Sequence, residues 1–117
     1  LSCYDRALEL DPQDAAAWYN KGLVLAELGR YEEALSCYDR ALELDPQDAA
    51  AWYNKGLVLA ELGRYEEALS CYDRALELDP QDAAAWNNKG LVLDKLGRYK
   101  EALSCYDRAR RLDQGRT

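Results

Sequence analysis

The stretch "DPQDAAAWYNKG" runs from Asp11 to Gly22 and returns unchanged from Asp45 to Gly56. It comes back once more, with one letter altered, as "DPQDAAAWNNKG" from Asp79 to Gly90. The interval is 34 residues each time, too long for a coiled-coil heptad and the right length for one supersecondary unit repeated along a chain. Residues 15–48 and 49–82 are identical throughout, each reading "AAAWYNKGLVLAELGRYEEALSCYDRALELDPQD". Residues 1–14 match only the end of that unit, and the copy at 83–117 departs at Asn87, Asp94, Lys95, Lys100, Arg110, Arg111 and in the tail. The organisation expected is one repeat domain: a half repeat (1–14), repeats at 15–48 and 49–82, and a terminal repeat (83–117) with a polar C-terminal end. Recent duplication in a natural array leaves such copies, and so does assembly from a consensus.

Each unit reads as two helices. Asp14 is a good N-cap, since its carboxylate can accept from the unpaired N–H groups that follow. Ala15 to Leu28 form the first helix, and Gly29 supplies its stop. Tyr31 to Leu44 form the second, opened by Glu32 and Glu33 at the positive end of the helix dipole. Asp45-Pro46 ends it, because proline cannot continue the hydrogen-bond ladder. The second helix has one apolar stripe, made of Ala34, Leu35, Tyr38, Ala41 and Leu42. The first is apolar on several sides: Trp18, Gly22 and Leu25; Val24 and Leu28; Tyr19, Leu23 and Ala26. Glycine in a helix interior costs about 1 kcal/mol against alanine, so Gly22 implies close backbone approach. A single hairpin cannot bury so much apolar surface, whereas stacked hairpins can. The fold class expected is therefore all-α, a solenoid of antiparallel helix hairpins.

The bulk composition limits the function. The chain has 117 residues, 49% of them hydrophobic, with no His, Met or Phe and a net charge of −7. Its apolar runs, such as Gly22–Ala26, are far too short to cross a membrane. The start "LSCYDRALEL" is unlike a secretory signal, so a cytoplasmic location is expected. Charge is uneven: residues 15–48 hold three basic and seven acidic residues, while 83–117 hold eight and four. Cys3, Cys37, Cys71 and Cys105 recur once per repeat, and equivalent positions in stacked repeats lie about 8–10 Å apart. That is too far for disulfides or shared metal coordination, so they read as small, partly buried thiols in a reducing compartment.

Chemistry has little to work with. Without histidine there is no imidazole base and no Ser/His or Cys/His pair. The glycines are single, so no phosphate-cradling loop is present. Carboxylates repeated in equivalent environments lack the split pKa values that acid–base catalysis needs. No enzymatic activity, cofactor or metal is expected. An acidic chain is also poorly suited to neutralising phosphates, which argues against nucleic acid as a partner.

At Trp18, Gly22, Ala34, Tyr38, Ala41 and Pro46, with the 34-residue period intact, the chain resembles the tetratricopeptide repeat family. It departs at Lys21, where that family usually has Leu, and at Leu25, where Tyr is usual. The resemblance covers the whole chain and implies a right-handed superhelix whose concave wall, lined by first helices, binds an extended peptide or partner protein. Carried over by residue, it puts Tyr19, Asn20, Leu23, Ala26 and Glu27 on that wall. Tyr53, Asn54, Leu57, Ala60 and Glu61 follow, then Asn87, Asn88, Leu91, Asp94 and Lys95. Asn20, Asn54 and Asn88 could bond to a ligand backbone through both donor and acceptor, and Tyr19 and Tyr53 offer amphipathic contact. Tyr19 and Leu23 could equally just pack against neighbouring helices.

Co-chaperone members of this family grip acidic chaperone tails with two asparagines and three basic residues. Asn54 matches the central asparagine, but the other positions hold Tyr19, Leu23, Ala84 and Asn88, so that carboxylate clamp is absent. A neutral or basic segment is the better partner for the glutamates of the first two repeats. The alternative is a structural array that self-associates through its ends. Leu1, Tyr4 and Leu8 would be left uncovered at one end, while Arg110, Arg111 and Gln114 give the other a finished, basic surface.

Overall fold

The computed structural model describes residues 2–114. Seven helices follow in order: α1 (Ser2–Leu10), α2 (Ala15–Glu27), α3 (Tyr31–Leu44), α4 (Ala49–Glu61), α5 (Tyr65–Leu78), α6 (Ala83–Lys95) and α7 (Tyr99–Gln114). Among the described residues there is no strand. Helices α2 and α3, α4 and α5, and α6 and α7 pair as hairpins. Each hairpin packs on the next through α3 against α4 and α5 against α6, with α2–α4 and α4–α6 also touching. The radius of gyration is 15.1 Å and the extents are 47 × 30 × 21 Å. A closed globule of this length would have a radius near 13 Å. The hairpins therefore stack in a row rather than close on themselves.

Local chemistry sets the helix ends. The carboxylates of Asp14, Asp48 and Asp82 each accept from the N–H three residues on, at 3.2 Å. Gly29 has φ +78, which lets its N–H reach the Ala26 carbonyl at 3.0 Å and the Arg30 N–H reach the Leu25 carbonyl at 2.9 Å. This paired arrangement stops the helix one residue earlier than the sequence suggests, leaving Leu28 as the cap rather than the last helical residue. Glu33 opens α3 as expected, and it does so through a neighbour: the Arg30 guanidinium donates to both its oxygens, at 2.8 and 2.6 Å. Between hairpins, Trp52 Nε1 donates to the Pro46 carbonyl at 3.0 Å and fastens α4 to the preceding turn.

Lys21, the departure from the family pattern, has a structural task. Its ammonium lies 2.7 Å from Asp5 and 5.7 Å from the Trp18 ring centroid, which ties α2 back to α1. Lys55 with Asp39 and Lys89 with Asp73 repeat that tie at 2.7 and 2.6 Å.

Gly22 does mark a close approach, but the approaching group is a side chain rather than a backbone. A Cβ there would sit 2.6 Å from Tyr38 Cε1, and Gly56 and Gly90 stand in the same relation to Tyr72 and Tyr106. Tyr38 and Tyr72 are each 1% exposed and form the centre of the core with Leu25, Leu59 and Leu93.

The end faces differ from expectation. Leu8 is buried, because the following α2 covers that position, as the next first helix covers Leu42 and Leu76. Tyr4 is half-buried, and Leu1 lies outside the described residues. At the other end Arg110 is exposed and paired with Asp107 at 2.7 Å. That face is nevertheless not wholly polar: Leu103 is 66% exposed, against 6% and 7% for the equivalent Leu35 and Leu69. All four cysteines are free; Cys37, Cys71 and Cys105 are buried and Cys3 is exposed. Burial pushes the Cys71 thiol up to about 11, so it stays neutral and packs as a small apolar group.

Candidate functional site

The first helices α2, α4 and α6 stand side by side, and their contact line is stitched by hydrogen bonds between repeats. Asn54 Nδ2 donates to Tyr19 Oη at 2.9 Å and to the Ala50 carbonyl at 2.9 Å. Asn88 Nδ2 repeats this with Tyr53 Oη at 2.7 Å and the Ala84 carbonyl at 3.0 Å. Both amide hydrogens are thus engaged inside the protein. The expectation that these asparagines serve a ligand through donor and acceptor alike is corrected accordingly: only Oδ1 remains. Tyr19 and Tyr53 are half-buried, with rings 6.0 and 5.9 Å from those of Tyr38 and Tyr72.

Two clefts open between the first helices. The larger, about 410 Å³, is lined by Leu23, Ala26, Glu27, Tyr31, Tyr38, Asn54, Leu57, Val58 and Glu61. The smaller, about 150 Å³, is lined by Leu57, Ala60, Glu61, Tyr65, Tyr72, Asn88, Leu91, Val92 and Lys95. Of the residues placed on the wall by the family pattern, Leu23, Ala26, Glu27, Asn54, Leu57 and Glu61 lie together in the first cleft, and Leu91, Asn88 and Lys95 in the second. Tyr19, Asn20 and Tyr53 line neither cleft. Asn87 lines a separate hollow of about 650 Å³ between α6 and α7 at the C-terminal end, together with Tyr106 and Arg110. Sequence reasoning missed Tyr31 and Tyr65, which enter from the starts of the second helices, and Tyr38 and Tyr72, which form cleft lining as well as core. The signal that could have found them is a tyrosine directly after the Gly-Arg turn in every repeat.

The third repeat shows where the deep tyrosine points. Tyr106 Oη donates to Asp94 Oδ2 at 2.6 Å, and Asp94 stands where the other repeats have Ala26 and Ala60. Partial burial and that bond to a carboxylate push the Tyr106 phenol up to about 12. Asp94, placed on the ligand-facing wall by the family pattern, is thus engaged within its own hairpin. Tyr38 and Tyr72 have alanine at that place, and their hydroxyls make no hydrogen bond to protein. Burial raises both phenols well above the usual tyrosine range, so they are neutral at any ordinary pH.

Among the described residues no group of three His, Cys, Asp or Glu side chains could hold a metal ion, and no helix is long and apolar enough to cross a membrane.

A family model described as "Tetratricopeptide repeat" matches residues 1–49, 25–82 and 53–117. The chain belongs to the tetratricopeptide repeat family. A stretch of 34 residues is 53% identical to an uncharacterized protein of Methanocaldococcus jannaschii, over 29% of this tetratricopeptide repeat chain and 40% of that one. Among solved structures, a crystal structure of MamA superposes with a TM-score of 0.94 at 24% identity, over 97% of this chain and 66% of that one. MamA residues 41 to the end from Desulfovibrio magneticus give 0.91 at 25%, over 97% and 64%. The chain thus spans 40% of the curated relative and no more than 66% of these MamA chains.

Proposed function

We propose that this tetratricopeptide repeat chain is a non-catalytic protein-interaction scaffold that holds an extended peptide or partner segment along the wall formed by α2, α4 and α6. The observation that carries the reading is the pair of apolar-floored clefts between successive first helices, rimmed by groups with hydrogen-bonding capacity left over. Glu27 and Glu61 are exposed and make no ion pair, which favours a neutral-to-basic segment over an acidic one. Panning a random peptide library against the whole chain tests it. Selected peptides are expected to lose binding to a Leu57→Lys variant, since Leu57 lines both clefts and an ammonium there would oppose an apolar or a cationic side chain entering them. Equal binding by both proteins, with helicity unchanged, would discard the reading.

A second reading is self-association, favoured by Leu103 and Tyr99, which are 66% and 64% exposed on one face of α7. The acidic first repeats and basic last repeat could then meet head to tail, a contact that salt would weaken. Light scattering over a concentration and salt series decides: an invariant monomer mass excludes it.

A further inference from the structure

The cleft between α2 and α4 presents three groups that only accept, Asn54 Oδ1 and the Glu27 and Glu61 carboxylates, beside the hydroxyls of Tyr31 and Tyr38, which accept or donate. Asn54 offers only Oδ1, because both its amide hydrogens are engaged by Tyr19 and Ala50. Glu27 and Glu61 contribute two carboxylates with no cation of their own. Tyr38, 1% exposed, lines the same cleft with an unpartnered hydroxyl. The third repeat fixes the direction of that hydroxyl, since its counterpart Tyr106 reaches the position equivalent to Ala26, which lines this cleft. The walls between these acceptors are Leu23, Leu57 and Val58. A ligand that suits the set has an aliphatic stem, several donors and a positive charge. Arginine meets each requirement: its guanidinium carries five N–H donors in a rigid fork, is weakly hydrated and stacks on aromatic faces.

We propose that this cleft anchors one arginine side chain of the partner segment, a reading that rests on the groove function proposed above. The neighbouring cleft is unsuited to a second arginine. It is about 150 Å³ rather than about 410 Å³. Its lining also has Lys95 with Glu61, where the first cleft has two carboxylates. Its tyrosine, Tyr72, keeps a free hydroxyl, so size and charge alone set the two clefts apart; Tyr106 of the third repeat lines neither, and its hydroxyl is taken by Asp94. The anchor is therefore single, and it sets the register of whatever lies along the groove.

The test uses the full chain, labelled with ¹⁵N, and two synthetic peptides. One is acetyl-Gly-Ser-Gly-Arg-Gly-Ser-Gly-amide; the other carries citrulline in place of arginine, which keeps the shape and removes the charge. Saturable shifts of the Asn54 side-chain amide are expected with the arginine peptide, and binding about tenfold weaker or worse with citrulline. Glu61→Lys, which gives this cleft the mixed rim of its neighbour, should abolish the arginine preference. Tyr38→Phe, which keeps the ring and removes the hydroxyl, should weaken arginine binding several-fold with the helical signal unchanged. Equal affinity for the two peptides, no saturable shift with either, or indifference to Glu61→Lys would overturn the proposal. If peptides selected from the library still bind the wild type and fail on Leu57→Lys, the groove reading survives that loss. If they also ignore Leu57→Lys, both readings fall.

Discussion

Truncating Tyr72 to alanine is expected to remove about 3–5 kcal/mol of unfolding free energy, the range for deleting a fully buried aromatic side chain. The ring is 1% exposed and fills the space left by the missing Cβ of Gly56, so no neighbour can collapse into the hole without moving α4 against α5. Tyr38→Ala should cost a similar amount, and Tyr106→Ala clearly less, because that ring is only half-buried. The reciprocal change tests the same contact. Alanine has better helix propensity than glycine by about 1 kcal/mol. In Gly56→Ala, however, the new methyl would meet Tyr72 Cε1 at 2.6 Å and Cδ1 at 2.8 Å. Overpacking a tight core costs about 1–3 kcal/mol, so the alanine variant should be the less stable protein. Adding Tyr72→Leu should erase the alanine penalty, giving a large coupling between the two sites. Urea titrations of Gly56→Ala, Tyr72→Leu and the double variant measure that coupling; a Gly56→Ala protein more stable than the wild type would show that the ring can step aside.

The hairpin of residues 49–82, excised as a peptide, should be largely unfolded at a temperature where the whole chain is helical. Its helices have 13 and 14 residues. At that length helices in water are marginal without packing. What the neighbours add can be read from equivalent residues. Leu69, followed by another hairpin, is 7% exposed, whereas the same leucine in the last repeat, Leu103, is 66% exposed. Val58 is 3% exposed, while Val24, with only α1 before it, is half-buried. Every first and second helix therefore depends on surface supplied by an adjoining copy. Circular dichroism of the peptide against the full chain gives the answer directly. Equal helicity per residue would mean that one hairpin suffices and that stacking adds nothing.

The parts of this molecule legible in its sequence are those determined within one repeat. Asp14 as a cap, Gly29 as a stop and the ends of α3 depend on bonds to residues at most five positions away, so local chemistry decides them. The period then predicts stacking without further information. What escaped was contact between elements. Gly22 announced a close neighbour, but that the neighbour is the Tyr38 ring, entering from the next helix, needs the hairpin geometry. The Asn54–Tyr19 bond spans 35 positions and depends on how far one first helix is displaced along the next. That bond changed the reading of the site, because it removes the donors that a ligand had been expected to use. Leu8 was misjudged for a related reason: the helical stripe identifies an apolar position, but not which neighbour covers it.

The bonds from Asn54 to Tyr19 and from Asn88 to Tyr53 have a consequence for the geometry of anything the groove holds. They act as rungs of fixed length between successive inner helices, so the distance from one cleft to the next is a property of the folded chain and not of its guest. An extended segment advances about 3.3 Å per residue, and only side chains whose spacing agrees with that built-in pitch can occupy neighbouring clefts together.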